Sequence, residues 1–169
     1  SPGGTITLSS VDGLGVGQES LRVDAGSKNL NLTGKIGELI PPGSLDFSGS
    51  SIQLTASLVA AFGSQTYSGP VSINSSLTKI YSAGNMTFES SVEPGLASSS
   101  VFFYPGGGSL EVMGSLGDAP LNAIRIYGAG RISLQDVSAN SLGIAGGLAE
   151  VFLEGEIQLQ SPSVLFIDA

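Results

Sequence analysis

The sequence predicts an all-β chain wound into a parallel β-helix, a single solenoid domain over residues 1–169 with about seven coils of 22–26 residues each. Three observations lead there. One short alternation of apolar and polar residues keeps returning: "TITLSSV" (5–11), "NLNLTGKI" (29–36), "SIQLTASL" (51–58), "NMTFESSV" (85–92), "SLEVMGSL" (109–116), "RISLQDV" (131–137) and "EIQLQ" (156–160). Helix signals are nearly missing. "SLVAAFG" (57–63) and "PLNAIRIYGAG" (120–130) are the ambiguous runs, and β-branched residues with two glycines argue against a helix in the second. Finally, 25 glycines and 8 prolines cut the chain into short segments separated by turns.

The first apolar residues of the motifs are Ile6, Leu30, Ile52, Met86, Leu110, Ile132 and Ile157, at steps of 24, 22, 34, 24, 22 and 25 residues. An upstream series runs through Leu21 ("SLRVDAG"), Leu45 ("SLDFSG"), Val71 ("PVSIN"), Phe102 ("VFFYPGG"), Ile124 ("AIRIYGAG") and Leu142 ("LGIAGG"), usually joined to the first by a Gly/Ser turn. Each repeat therefore reads as strand, tight turn, strand, longer return. At roughly 3.3 Å per residue such a repeat closes one coil, and coils stack about 4.8 Å apart. An antiparallel sandwich would need two-residue turns of the Asn-Gly or Asp-Gly kind. The one Asp-Gly, at 12–13, precedes "LGVGQ", a poor strand. Leu30 is expected to pair with Ile52 and Leu110 with Ile132, and Leu32, Leu54, Phe88, Val112, Leu134 and Leu159 to share one interior ladder. The outward positions Thr7, Asn31, Gln53, Thr87, Glu111, Ser133 and Gln158 include one charge, as stacked coils require, because like charges at this spacing repel. The 34-residue step predicts a longer loop or extra strand around 59–84, with "SSLTKIYSAG" (75–84) as the protrusion.

Composition excludes several functions. The net charge is −8 and the six basic residues are scattered along the sequence, so no basic patch is expected and nucleic-acid binding is disfavoured. With no Cys and no His, thiol catalysis, imidazole base catalysis and Cys/His metal sites are excluded. No apolar run reaches the ~18–20 residues of a membrane span, so no membrane insertion is expected. The opening "SPGG", without an initiator Met or signal peptide, reads as a processed protein or an excised piece. The Gly-rich runs at 106–108 and 146–147 lack the context of phosphate loops. No cofactor is expected.

"VFFYPGGG" cannot bury Val101, Phe102, Phe103 and Tyr104 on one side of a strand, so at least one ring should face out or fill a corner. Phe102, Phe103, Tyr104 and Tyr81 are therefore candidate ligand or partner contacts. Glu89 and Glu111, on one outward face, form a candidate glycosidase pair, beside the plainer reading of two solvated acids. Asp24, Asp46, Asp118 and Asp136 sit at turns or edges, where local hydrogen bonding explains them. Arg22 is expected to pair with Asp46 across adjacent coils, for at most ~1 kcal/mol. Asn31, Asn74 and Asn85 head Asn-x-Ser/Thr sequons, candidate glycosylation sites where the source glycosylates exported proteins. "SVLFIDA" stays in strand register to the end of the sequence, so Val164, Leu165, Phe166 and Ile167 form a candidate end-to-end contact.

Three stretches, "GSQTYSGPVSINSSL" (63–77) with "NMTFESSV", "LRVDAGSKNLNLTGKIG" (21–37) and "IRIYGAGRISLQDV" (124–137), resemble the β-strand repeats of large bacterial surface exoproteins of the filamentous-haemagglutinin type. The resemblance spans about residues 4–160; "VFFYPGGG" and the acidic C-terminal region depart from it. It implies a right-handed parallel β-helix, a secreted or cell-surface location, and roles in adhesion, display and fibre building, with no catalytic residues to carry over. The leading expectation is a non-enzymatic extracellular structural or adhesive protein: a rod segment of an exoprotein or a fibre subunit. Its partner would be itself, stacked head to tail, or adjacent coils of a longer chain, with cell-surface glycans or proteins as further partners. A polysaccharide-acting β-helix enzyme and a glycan- or ice-binding module are the alternatives. An enzyme should present a groove with three or more convergent acids, and an ice binder regular Thr-x-Thr rows, of which "TIT" (5–7) is the one example.

Overall fold

The computed structural model describes residues 4–15, 17–128, 130–147 and 150–168, with backbone alone for 161–163. Its described residues form strands and no helix, and every strand pairing is parallel. The chain winds through about seven stacked turns, and each coil crosses three faces in the same order. Face I holds β2 (Ser20–Asp24), β4 (Ser44–Ser48), β7 (Gln65–Ser68) and β10 (Met86–Phe88). Face II holds β1 (Ile6–Leu8), β3 (Asn29–Leu32), β5 (Ser51–Leu54), β8 (Val71–Ile73) and β11 (Val92–Pro94). Face III holds β6 (Leu58–Ala61), β9 (Thr78–Ser82), β12 (Ser100–Tyr104) and β14 (Ala123–Tyr127). In the upper coils the strands run on around corners: β13 (Leu110–Leu121) serves faces I and II, while β15 (Arg131–Ala145) and β16 (Glu150–Asp168) serve all three.

The expected pairs Leu30 with Ile52 and Leu110 with Ile132 are present. The expected single ladder is not. Leu32 and Leu54 continue to Ile73 on face II, Phe88, Val112 and Leu134 lie on face I, and Leu159 pairs with Ala139. Faces I and II carry the same alternation only a few residues apart, so periodicity alone cannot separate them. The confusion begins at β7, whose inward residues are Gln65 and Tyr67 rather than two aliphatics. Assigning β7 removes the 34-residue step: Ile52 pairs with Val71, 19 residues on, and Val71 with Val92, 21 on. Residues 59–84 thus hold ordinary coil strands, and 75–84 contains β9, seated between β6 and β12 rather than protruding. Coils are also shorter than expected in places, down to the 18-residue step from Ile126 to Ile144.

The interior is a stack of apolar ladders. On face I, Val23, Phe47, Tyr67, Phe88, Val112, Leu134 and Leu153 succeed one another coil by coil. Tyr67 lies flat on Phe88, centroids 4.5 Å apart at 5°, and Phe103 meets Phe88 edge-on at 5.5 Å. The buried Tyr67 hydroxyl donates to Gln65 Oε1 at 2.8 Å, and Gln65 Nε2 donates to the Tyr81 carbonyl, so both polar side chains of "QTY" are satisfied inside the core. At the corner between faces III and I, a Cβ on Gly63 would lie 2.3 Å from the Gly43 carbonyl oxygen, and one on Gly108 2.2 Å from that of Gly84. Successive coils approach too closely there for any side chain.

Candidate functional site

Three of the described regions gather aromatic, charged or apolar side chains that packing does not absorb. The first is face III. Alternation along β12 turns Val101 and Phe103 inward and Phe102 and Tyr104 outward. Phe103 is fully buried, so it is a core aromatic and not the contact the sequence offered. Tyr81 and Tyr104 face out and stack, centroids 4.2 Å apart at 6°, and Tyr127 extends the stack 5.0 Å above Tyr104 at 14°. The three rings turn their faces to one another. A sugar ring therefore meets their edges and hydroxyls, and stacking on the inner ring is closed. Burial, then the neighbouring Tyr81 hydroxyl, pushes the Tyr104 hydroxyl up to about 12. The stack lines a shallow groove of about 390 Å³ with Ala61, Ser82, Ala83 and Gly106.

Beside the tyrosines runs a second outward column. Lys35 adjoins Leu58, and Leu58 pairs with Lys79, Lys79 with Phe102, Phe102 with Arg125, and Arg125 with Gly143. The cations thus occupy alternate coils with an apolar residue between each two. This corrects the expectation of scattered basic residues: positions far apart in sequence fall into one line through register. Lys35 is paired with Glu38. Among the described residues Lys79 and Arg125 have no ion-pair partner, and β6, β9, β12 and β14 contain no carboxylate.

The second region is a groove of about 310 Å³ lined by Gly117, Asp118, Asp136, Val137, Ser138, Glu156 and Gln158. The sequence did not reveal it, because its three acids come from three successive coils. Asp136 has φ 40°, the one described non-glycine residue with positive φ, and its Oδ1 accepts the Glu156 N–H at 2.8 Å. Glu93, below, accepts the Asp118 N–H at 2.6 Å and the Ser115 hydroxyl at 3.0 Å; burial pushes its carboxyl up against those two bonds. No three carboxylates among the described residues are placed to hold a metal ion. The proposed pair is separate from this groove: Glu111 stands between Thr87 and Ser133, and Glu89 lies one residue beyond β10.

The third region is the open end. β16 pairs with β15 on one side and with nothing on the other among the described residues. Val164, Leu165, Phe166 and Ile167 are 55%, 54%, 54% and 46% exposed, and the inward-facing Val151, Leu153, Ile157 and Leu159 are only half-buried. Arg22 meets Asp46 at 3.4 Å between exposed side chains, as expected. Asp24 accepts from Gly26 N–H and from Ser48, which holds its carboxyl below the usual range. Asn31 lies in the outward ladder between Thr7 and Gln53, Asn74 packs over Gly95, and Asn85 Oδ1 accepts the Ser109 N–H at 3.1 Å. All three sequon amides therefore sit within stacked coils rather than on projecting loops. No family model, curated protein or solved structure matches the chain.

Proposed function

We propose that this chain is a non-enzymatic structural and adhesive element of the cell exterior, a β-solenoid rod that joins end to end with further coils. The observation that carries the proposal is the edge of β16 that faces away from β15, which pairs with nothing among the described residues. The donors and acceptors that alternate residues of β16 turn away from β15, interrupted around Pro162 and including the exposed run Val164–Ile167, are a template for another parallel coil. β16 carries Glu150, Glu154, Glu156 and Asp168 and no basic residue, so two such ends repel and a head-to-tail, open-ended contact is favoured. The extracellular setting and the adhesive role rest on the exoprotein-like repeats.

The 169-residue chain should sediment as concentration-dependent oligomers and appear as rods in electron micrographs. Asp168 carbonyl accepts the Gly146 N–H, so alternate residues Leu165 and Ile167 turn their N–H groups to the open edge. Proline is tolerated at such outward edge positions. Leu165→Pro with Ile167→Pro should abolish the oligomers and keep the fold. A monomeric wild type at high concentration sinks the proposal, as do oligomers unaffected by the prolines.

The groove at Asp118, Asp136 and Glu156 favours a second reading, a polysaccharide-cleaving enzyme. Incubation with acidic and neutral polysaccharides separates the two. The structural reading expects no new chain ends, whereas release lost in Asp136→Asn or Glu111→Gln would establish the enzyme.

A further inference from the structure

We infer that face III is a binding track for an extended anionic polysaccharide with one carboxylate on every second sugar. The inference deepens the adhesive part of the proposed function and uses a different surface from the open end.

The whole chain has a net charge of −8, yet Lys79 on β9 and Arg125 on β14 stand on a stretch of face III whose strands β6, β9, β12 and β14 hold no acid; Glu38, paired with Lys35, and Asp168 on β16 lie at its two ends. On a chain of negative net charge, two cations without an acid between them on neighbouring strands draw a polyanion to this strip. Spacing narrows the class of ligand. Lys35, Lys79 and Arg125 recur on every second coil, which at about 4.8 Å per coil separates them by roughly 9.6 Å. An extended acidic peptide places side chains on one side every roughly 6.6 Å and falls out of step. A nucleic-acid strand carries a phosphate about every 3.4 Å and is denser still. A linear glycan with alternating neutral and uronic sugars presents its charges at the two-sugar repeat, which suits a two-coil cation repeat.

The groups between the cations fit the same occupant. Leu58 and Phe102 offer apolar surface where the neutral sugar lies. The plane of Phe102 stands 66° from that of Tyr127, so this ring is turned out of the tyrosine stack. The edge-on hydroxyls of Tyr81, Tyr104 and Tyr127 run alongside as a row of donors and acceptors for sugar hydroxyls. Two open hollows lie along the track, about 620 Å³ beside Lys35, Leu58 and Lys79, and about 390 Å³ beside the tyrosines. Both are shallow and strung along the axis, as a polymer requires. The Arg125 side chain runs across Gly143 of the coil above, where a Cβ would come 2.8 Å from its Cδ, so the glycine makes room for it, and its Nη1 donates to the Ile124 carbonyl at 2.9 Å.

The probe is a hyaluronan oligosaccharide of ten sugars, which has one carboxylate per disaccharide, measured by calorimetry on the full chain at low salt. Dextran of equal length tests neutral sugar, and poly-glutamate tests an acidic peptide. Hyaluronan should bind, weakening at least tenfold between 50 and 500 mM salt because exposed pairs are screened. Lys79→Gln with Arg125→Gln should weaken binding at least tenfold, and Phe102→Ser about threefold with the salt dependence unchanged. Arg22→Gln with Lys28→Gln, cations off the face, should leave binding as it was. Circular dichroism verifies the fold of each variant. Absence of hyaluronan binding overturns the inference, as does binding indifferent to Lys79 and Arg125, or poly-glutamate or dextran bound as tightly. End-to-end assembly is read separately by sedimentation, so either proposal can fail alone.

Discussion

Gln65 and Tyr67 turn polar groups into an apolar core, and their cost depends on each having the other. Tyr67→Phe removes the donor to Gln65 Oε1 and leaves that oxygen buried, which should cost about 1–3 kcal/mol in a urea titration. Tyr67→Phe combined with Gln65→Met removes both partners and should recover most of that loss. The failure to see "QTY" as an interior strand follows from this pair, since alternation is read from apolar residues and here the inward ones are an amide and a phenol. Phe88, clamped between Tyr67 and Phe103, has no slack around it; Phe88→Ala should cost roughly 3–5 kcal/mol, and a loss below about 1 kcal/mol would place it outside the core. Glu93 gives a pH signature. Its folded-state pKa is raised, so the native state holds the proton more tightly than the unfolded chain. That contribution is fully present below the unfolded value near 4.5 and is lost as pH rises through the higher folded value. Glu93→Gln should flatten this decline in melting temperature; an unchanged pH profile contradicts the assignment.

Strands were legible from local pattern, whereas their assignment to faces was not. Alternation at "NLNL", "SIQL" and "SLEV" marks β3, β5 and the start of β13 because each buries every second residue. What joins the strands varies: four residues turn the corner from β2 to β3, two from β4 to β5 and two from β7 to β8. Unequal corners blur the coil length, so the repeat cannot be phased by counting. The same blurring hid the column of Lys35, Lys79 and Arg125, which only register brings into line. Tyr127 was missed although a signal was present: Tyr81, Tyr104 and Tyr127 follow one another at equal steps of 23 residues. The corner glycines test how rigidly the coils nest. Gly63→Ala forces a methyl against the Gly43 carbonyl and should cost about 1–3 kcal/mol. Gly107→Ala, with open space around the new methyl, should fall within about 0.5 kcal/mol of the parent. Equal effects at the two positions would mean that the corner relaxes and close approach does not govern it.

For the whole molecule, stability is the sum of coils held by their two neighbours, and an end coil has only one. Among the described residues β16 lies against β15 alone, and β1 and β2 against β3 and β4 alone, all with half-buried inward residues, so opening begins at these two ends. Hydrogen exchange resolves this residue by residue, because in a parallel strand successive N–H groups point to opposite neighbours. Asp168 and Phe166 face β15; Leu165 and Ile167 face outward. In dilute solution the Phe166 amide should therefore be protected while those of Leu165 and Ile167 exchange at nearly the free-chain rate. Raising the concentration should protect Leu165 and Ile167 as well, since a second chain laid on the edge supplies the missing acceptors. Amides within β7 and β8, bonded on both sides by their own chain, should not respond to concentration at all. Aggregation of an unfolded or loosened chain would alter protection throughout instead of on alternate residues of one strand. The alternating pattern thus distinguishes ordered head-to-tail pairing from nonspecific adhesion, and its absence at high concentration rules the pairing out.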